Sequence, residues 1–185
     1  MQMTQGELSG IVILKPQVFH DERGCFYESY QAERFAKSML PEKFVQDNCS
    51  RSQKNVLRGL HFQKEYPQGK LVFVSFGSIL DVMVDIRLGS PSFGKAMALE
   101  LNDQNCLQVY IPPGFAHGFC VLSARADVTY KCTDFYSPAH ECGLIWNDPD
   151  LQIPWPIMMQ PIISPKDQVY SRLKDFPKDQ LPQFI

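Results

Sequence analysis

From Leu80 to Leu88 every second residue is a branched aliphatic: Leu80, Val82, Val84, Ile86 and Leu88. Asp81, Met83, Asp85 and Arg87 occupy the positions between them. A repeat of two belongs to a β-strand, whose side chains alternate between faces, whereas a helix repeats every 3.6 residues. The segment therefore predicts a strand with one apolar face and one largely polar face. Residues 71–76 form a short apolar run that Gly77-Ser78 can turn, and Gly89-Ser90-Pro91-Ser92 marks the next turn. Residues 94–101 and 107–111 read as strands on either side of Asn102-Asp103-Gln104-Asn105, and residues 119–122 and 127–136 continue the series. Turn signals about every ten residues predict a β-sandwich or barrel. The 13 Phe, 7 Tyr, 2 Trp and 14 Pro among 185 residues also favour strands and turns over a helical bundle.

Helix is scarce. Residues 30–40 predict one, with Ser29 as N-cap and Pro41 as its stop. Ser164-Pro165-Lys166-Asp167 predicts the start of another, with Ser at N-cap, Pro at N1 and an acid at N3, running towards Lys174. No repeat, linker or low-complexity run divides the sequence, so residues 1–185 are expected to form a single domain. A domain of this length buries roughly 70% of the surface its unfolded chain exposes, and needs no disulfide or metal staple.

Eighteen Lys and Arg against 20 Asp and Glu leave a net charge of −2, without the basic excess of a nucleic-acid binder. The longest uncharged stretch, residues 106–124, is broken by Pro112-Pro113-Gly114, which argues against a transmembrane helix there. No two of Cys25, Cys49, Cys106, Cys120, Cys132 and Cys142 form a CxxC pair, and they are expected to be reduced and mostly buried. No secretory signal is evident. Asn48-Cys49-Ser50 is therefore expected to be an idle glycosylation match, and the chain a soluble cytoplasmic protein.

Polar residues collect in and beside the predicted strands. In Leu57-Arg58-Gly59-Leu60-His61-Phe62-Gln63 the period of two puts His61 and Gln63 on one face, and Lys70 follows Gly69. The other clusters are Ile111-Pro112-Pro113-Gly114-Phe115-Ala116-His117-Gly118-Phe119 and Tyr130-Lys131-Cys132-Thr133-Asp134-Phe135-Tyr136. The first two resemble the two cupin motifs. Metal-binding cupins offer two histidines two residues apart and then a Glu in the first motif, and Pro-x-Gly-x-x-His in the second. Here the second motif is intact from Pro112 to His117, but Gln63 stands at the second ligand position and Glu65 is too close to His61. Gln is a poor ligand for a divalent transition metal, so no metal site is expected. A free imidazole, titrating near ~6.5, makes such a pocket an acid–base site instead.

Seven segments together resemble the dTDP-4-dehydrorhamnose 3,5-epimerase family of metal-free cupins. They are Asp21-Glu22-Arg23-Gly24-Cys25-Phe26-Tyr27-Glu28, Gln46-Asp47-Asn48, Leu57-Arg58-Gly59-Leu60-His61, Gly69-Lys70-Leu71-Val72, Asp81-Val82-Met83-Val84-Asp85-Ile86-Arg87, Pro113-Gly114-Phe115-Ala116-His117-Gly118-Phe119 and Trp146-Asn147-Asp148-Pro149. The likeness runs from about Val18 to Asp167. It implies a mainly β fold, a cupin-type jelly-roll barrel or sandwich, with a few short helices near the N-terminal third and the C-terminus. It also implies inversion of C3 and C5 of a 4-keto-6-deoxyhexose carried on dTDP. Both carbons are α to the ketone, so the chemistry needs a base, an acid on the opposite face and a group that stabilises an enolate. No metal or redox cofactor is implied.

By the same resemblance His61 is the base, Asp167 its orienting carboxylate, Tyr130 the acid and Lys70 the group that meets the C4 oxyanion. Asp167 is equally well placed as an N3 capping acid, and both roles can hold. Arg58 and His117 would line the sugar and its phosphates. Asp81 could orient a histidine or pair with an arginine. Gln46, Asp47 and Asn48 would contact the nucleotide, Tyr136 would stack on the thymine, and Glu141 and Lys166 would add substrate contacts. Arg23 and Glu28 would reach across from a partner subunit, which implies a homodimer with exchanged N-terminal strands. A single-centre epimerase, a non-catalytic sugar-nucleotide-binding cupin and a metal-dependent cupin remain as alternatives. His61 and Tyr130 argue against the second, and Gln63 against the third.

Overall fold

A computed structural model describes residues 1–38, 40, 43–156 and 160–184. In chain order the elements are β1 (Gln2–Gln5), β2 (Val12–Lys15), β3 (Val18–Asp21), β4 (Gly24–Tyr27), α1 (Ala32–Ala36), β5 (Gln46–Gln53), β6 (Leu57–Gln63), β7 (Lys70–Phe76), β8 (Ser78–Asp85), β9 (Ala96–Asn102), β10 (Gln108–Ile111), β11 (Phe115–Val121), β12 (Arg125–Cys132) and β13 (Glu141–Gly143). A six-stranded sheet runs β1-β2-β10-β7-β12-β5, and a five-stranded sheet runs β13-β6-β11-β8-β9. Strands β3 and β4 form a separate hairpin. The ladders are antiparallel and most neighbours are distant in sequence, which is the wiring of a jelly roll.

Alternation decides which side chains meet between the sheets. Val72 and Val74 of β7, Ile79 and Met83 of β8, and Val128 of β12 belong to the apolar cluster that fills one part of the interior. Each such fully buried aliphatic side chain contributes about 1.5–3 kcal/mol. Lys70, Asp81 and Tyr130 share parity with these residues on the same strands, so they also point inward. The apolar face of β8 points the other way. Val82, Val84 and Ile86 pack under Leu144, Leu151, Leu173 and Leu181 from the C-terminal segment. Strand β8 is thus covered on both faces, and its charged residues lie on the inner one.

The alternation predicted through Leu88 stops as a strand at Asp85. Beyond it the Asp85 carboxylate accepts from Arg87 Nε at 2.9 Å and Nη2 at 2.7 Å, and from the hydroxyls of Ser90 and Ser92 at 2.6 Å each. These four bonds fold the chain into the next turn. Strand β12 ends at Cys132 instead of continuing to Tyr136.

The two helices are shorter than the sequence predicts. Helix α1 is capped by Gln31, whose Oε1 accepts from Arg34 N at 2.5 Å, and Ser29 is not its cap. It closes where the Ser38 hydroxyl donates to Phe35 O at 2.6 Å, before the Pro41 stop, which lies outside the described residues. At the second site Ser164 Oγ does accept from Asp167 N, at 3.2 Å, but only a 3₁₀ turn, Lys166–Gln168, follows. A second 3₁₀ turn covers Leu173–Asp175. All six cysteines are free; Cys106, Cys120 and Cys132 are buried, whereas Cys25 and Cys49 are exposed, against the expectation of mostly buried thiols. No helix among the described residues is long and apolar enough to cross a membrane.

Candidate active site

The interior between the sheets opens into a cavity of about 610 Å³. Strand β6 delivers His61 from the five-stranded sheet; β7 and β12 deliver Lys70 and Tyr130 from the opposite sheet. Strand β11 adds His117, which sits directly across the ladder from His61. Glycines make this juxtaposition possible. A Cβ on Gly59 would lie 2.6 Å from Gly118 Cα and 2.7 Å from His117 O, and Gly59 has φ +120°, a conformation costly for any other residue. The β6–β11 ladder shifts register between His117 and Phe119, beside that contact.

Each histidine is held by a buried carboxylate. His61 Nε2 lies 2.8 Å from Asp167 Oδ1, and Asp167 Oδ2 accepts from Gly59 N at 3.3 Å. Burial pushes the Asp167 carboxyl up, but the bonds from His61, Gly59 and Ser164 outweigh it and hold the group below its ordinary range. An ionised Asp167 accepts from Nε2–H, which leaves His61 Nδ1 as the basic nitrogen. His117 Nε2 lies 2.7 Å from Asp81 Oδ1, so Asp81 partners a histidine and not an arginine.

The other chemical groups are tuned by the same enclosure. Burial raises the Tyr130 phenol above its ordinary value, so it carries its proton at neutral pH. Burial lowers Lys70, against the opposing pull of Cys132, Asp81 and Glu141. Gln63 does not face the cavity as a free ligand. Its Nε2 donates to Tyr66 O at 2.8 Å and Phe135 O at 3.3 Å, and its Oε1 accepts from Ser137 N at 2.8 Å. The amide at the position where metal cupins carry a ligand is therefore spent on tying two loops together.

The cavity mouth is polar. Tyr136 Oη donates to Glu141 Oε2 at 2.9 Å, and Lys166 Nζ donates to the same carboxylate at 2.7 Å. Gln46 and Asn48 line one wall, joined by a 3.0 Å bond, and Arg58 is steadied by donating to Ser52 Oγ at 3.1 Å. Asp47, expected beside them at the nucleotide, does not line the cavity. It lies between Gln46 and Asn48 on β5, so its side chain takes the other face and pairs with Lys131 at 2.8 Å, outside the cavity. Arg23 and Glu28 also lie outside this chain's cavity. The Arg23 side chain is 90% exposed beside Asp21, and Glu28 pairs with Arg34 at 3.1 Å. The cavity also includes residues to which the sequence assigns no role in the site: Ser50, Val56, Gln68, Phe119, Ile162 and Ile163. Ser50 was within reach of the β5 alternation; the apolar wall carries no chemical signal.

Fold and site together define a jelly-roll barrel with a histidine–carboxylate pair facing a phenol and a lysine across an open interior. The sequence pattern of the dTDP-4-dehydrorhamnose 3,5-epimerase family matches residues 5–175, and the chain belongs to that family. It is 52% identical over 167 residues to a dTDP-4-dehydrorhamnose 3,5-epimerase of Neisseria gonorrhoeae. That match covers 90% of this chain but about half, 51%, of the longer relative. The enzyme of the same name from Escherichia coli (strain K12) is 50% identical over 170 residues, covering 91% of this chain and 92% of that one. A crystal structure of dTDP-6-deoxy-D-glucose-3,5-epimerase from Legionella pneumophila Philadelphia 1, in complex with dTDP-4-keto-L-rhamnose, superposes with a TM-score of 0.96. It is 48% identical and covers 100% of this chain and 98% of that one, so the fold is the cupin-type jelly roll.

Proposed function

We propose that this cavity converts dTDP-4-dehydro-6-deoxy-D-glucose to dTDP-4-dehydro-L-rhamnose by inverting C3 and C5. The observation that carries the reading is the placement of His61 on one sheet and Tyr130 on the other, with Lys70 beside Tyr130. His61 Nδ1 takes the proton from a carbon next to the ketone. The electron pair moves onto the C4 oxygen, where the Lys70 ammonium stabilises the enolate. Tyr130 Oη then gives its proton to the opposite face of the same carbon; once solvent has taken the proton from His61 and returned one to Tyr130, the second carbon follows by the same two transfers. Asp167 fixes the His61 tautomer and stabilises the imidazolium after abstraction.

Arg58 and His117 would hold the sugar and diphosphate, and Gln46, Asn48, Tyr136, Glu141 and Lys166 the nucleotide end. Arg23 and Glu28, outside their own cavity, would serve the cavity of a second copy through exchanged N-terminal strands. Residues 1–185 would act as one catalytic domain. The test is incubation with dTDP-4-keto-6-deoxyglucose in D2O with EDTA present. Deuterium at both C3 and C5 is expected. Deuterium at one carbon would make the chain a single-centre epimerase, and loss of activity restored by added zinc or iron would refute a metal-independent mechanism.

A further inference from the structure

We infer that Tyr170 is a positioning residue for His61, acting together with Gly143; the inference rests on His61 being the base. Gly143 is the cross-strand partner of His61 on β13. A Cβ there would lie 2.3 Å from Tyr170 Cε2 and 2.6 Å from Cδ2 and Cζ, so the ring of Tyr170 occupies the space that a side chain at residue 143 would fill. The same ring meets His61 edge-on, with centroids 6.0 Å apart and planes at 73°. His61 is thus held on two sides, by Asp167 at Nε2 and by Tyr170 at the ring.

Both contacts come from one short stretch. The 3₁₀ turn Lys166–Gln168 carries Asp167, and Tyr170 follows two residues after it. Ile145 N donates to Ser171 O at 2.9 Å, which anchors the far end of the stretch just beyond β13. Removing the Tyr170 ring would leave Asp167 in place but free the imidazole to tilt about its bond to the carboxylate. Proton abstraction depends steeply on alignment, and a misplacement of about 1 Å can cost on the order of 100-fold.

The test compares Tyr170→Phe, Tyr170→Ala, Gly143→Ala and the Tyr170→Ala/Gly143→Ala pair. Turnover, KM and deuterium wash-in at C5 are measured, with thermal melts as the folding control. Tyr170→Phe keeps the ring and should retain wild-type turnover. Tyr170→Ala should lower kcat and wash-in together by on the order of 10-fold while KM stays within about twofold. Gly143→Ala displaces the ring and should fall to a similar level. In the double variant the new methyl meets no ring, so the second change should add no further loss, the non-additivity expected of two residues in contact. The inference is overturned if Tyr170→Ala keeps wild-type kcat, if its loss lies wholly in KM, if Tyr170→Phe is as slow as Tyr170→Ala, or if the two changes multiply. Should Tyr170→Ala fail to fold, wild-type turnover in a folded Gly143→Ala would overturn it instead. A wrong assignment of His61 as base would appear separately, as a His61→Asn variant that still turns over.

Discussion

Asp167→Asn replaces a carboxylate with an amide that has one acceptor oxygen and one donor nitrogen. The site asks for two acceptors: Oδ1 faces His61 Nε2 at 2.8 Å and Oδ2 faces Gly59 N at 3.3 Å. If the amide oxygen stays on His61, its NH2 confronts the buried Gly59 N–H and that donor is left unsatisfied, at about 1–3 kcal/mol. If the amide turns over, its oxygen satisfies Gly59 and its NH2 donates to His61 Nε2. The second arrangement satisfies both Gly59 N–H and His61 Nε2 and wins by that margin. It also moves the imidazole proton to Nδ1, the nitrogen proposed to accept from the substrate. The variant should therefore fold with nearly unchanged stability while losing its base. A wrong-tautomer imidazole and the lost stabilisation of imidazolium together cost on the order of 10³–10⁴-fold in kcat, or about 4–5.5 kcal/mol. Turnover and C5 deuterium wash-in, set beside a thermal melt, measure both sides of the claim. A folded Asp167→Asn variant within tenfold of wild type would refute the proposed tautomer and with it the role of Asp167.

Tyr130→Phe keeps the packed ring and removes the proposed acid, so solvent exchange at C3 or C5 should persist while net inversion falls sharply; His61→Asn should lose both, by on the order of 10²–10⁴-fold. Equal loss of exchange in the two variants would contradict the division of roles. On β5, Asn48→Ala should raise KM several-fold while Asp47→Ala leaves it near wild type, because only Asn48 faces the cavity; steady-state kinetics decide it. Asp85 is lowered from 3.8 to about 2: burial opposes the shift, and bonds from Arg87, Ser90 and Ser92 overcome it. Because the folded state depresses this pKa, the stabilisation is complete above the unfolded value and is lost as pH falls through about 2. It amounts to about 2 kcal/mol, with about half gone by pH 3. Urea unfolding of wild type and Asp85→Asn from pH 5 to pH 3 should show their difference shrinking by about 1 kcal/mol.

Much of this site was legible because its chemistry rides on strands. A period of two is simple enough that the inward parity of His61 and the polar face carrying Asp81 follow from the sequence. Asp47 obeys the same rule: a residue between two inward neighbours on a strand points to the other face. The helices were overdrawn because hydrogen bonds, and not propensity, end them. Ser38 takes the carbonyl of Phe35, and beyond Gln168 the chain is drawn across β13, where Tyr170 and Ser171 find partners. Tyr170 itself was invisible. Nothing in a linear sequence says that a tyrosine will lie on a glycine 27 residues earlier. Arg23 and Glu28 fall outside the reach of one chain's geometry if their cavity belongs to a second copy.

The two halves of the histidine–carboxylate pair are secured very differently. His61 stands within a ladder bonded on both sides, by β11 and β13. Asp167 sits on a single 3₁₀ turn after the last strand, held by its bonds to His61, Gly59 and Ser164. Local opening of such a turn requires less free energy than melting the barrel. On heating, the enzyme should accordingly fall silent while its sheets are still intact, and a ligand that draws Lys166 inward would protect activity more than it raises the melting temperature.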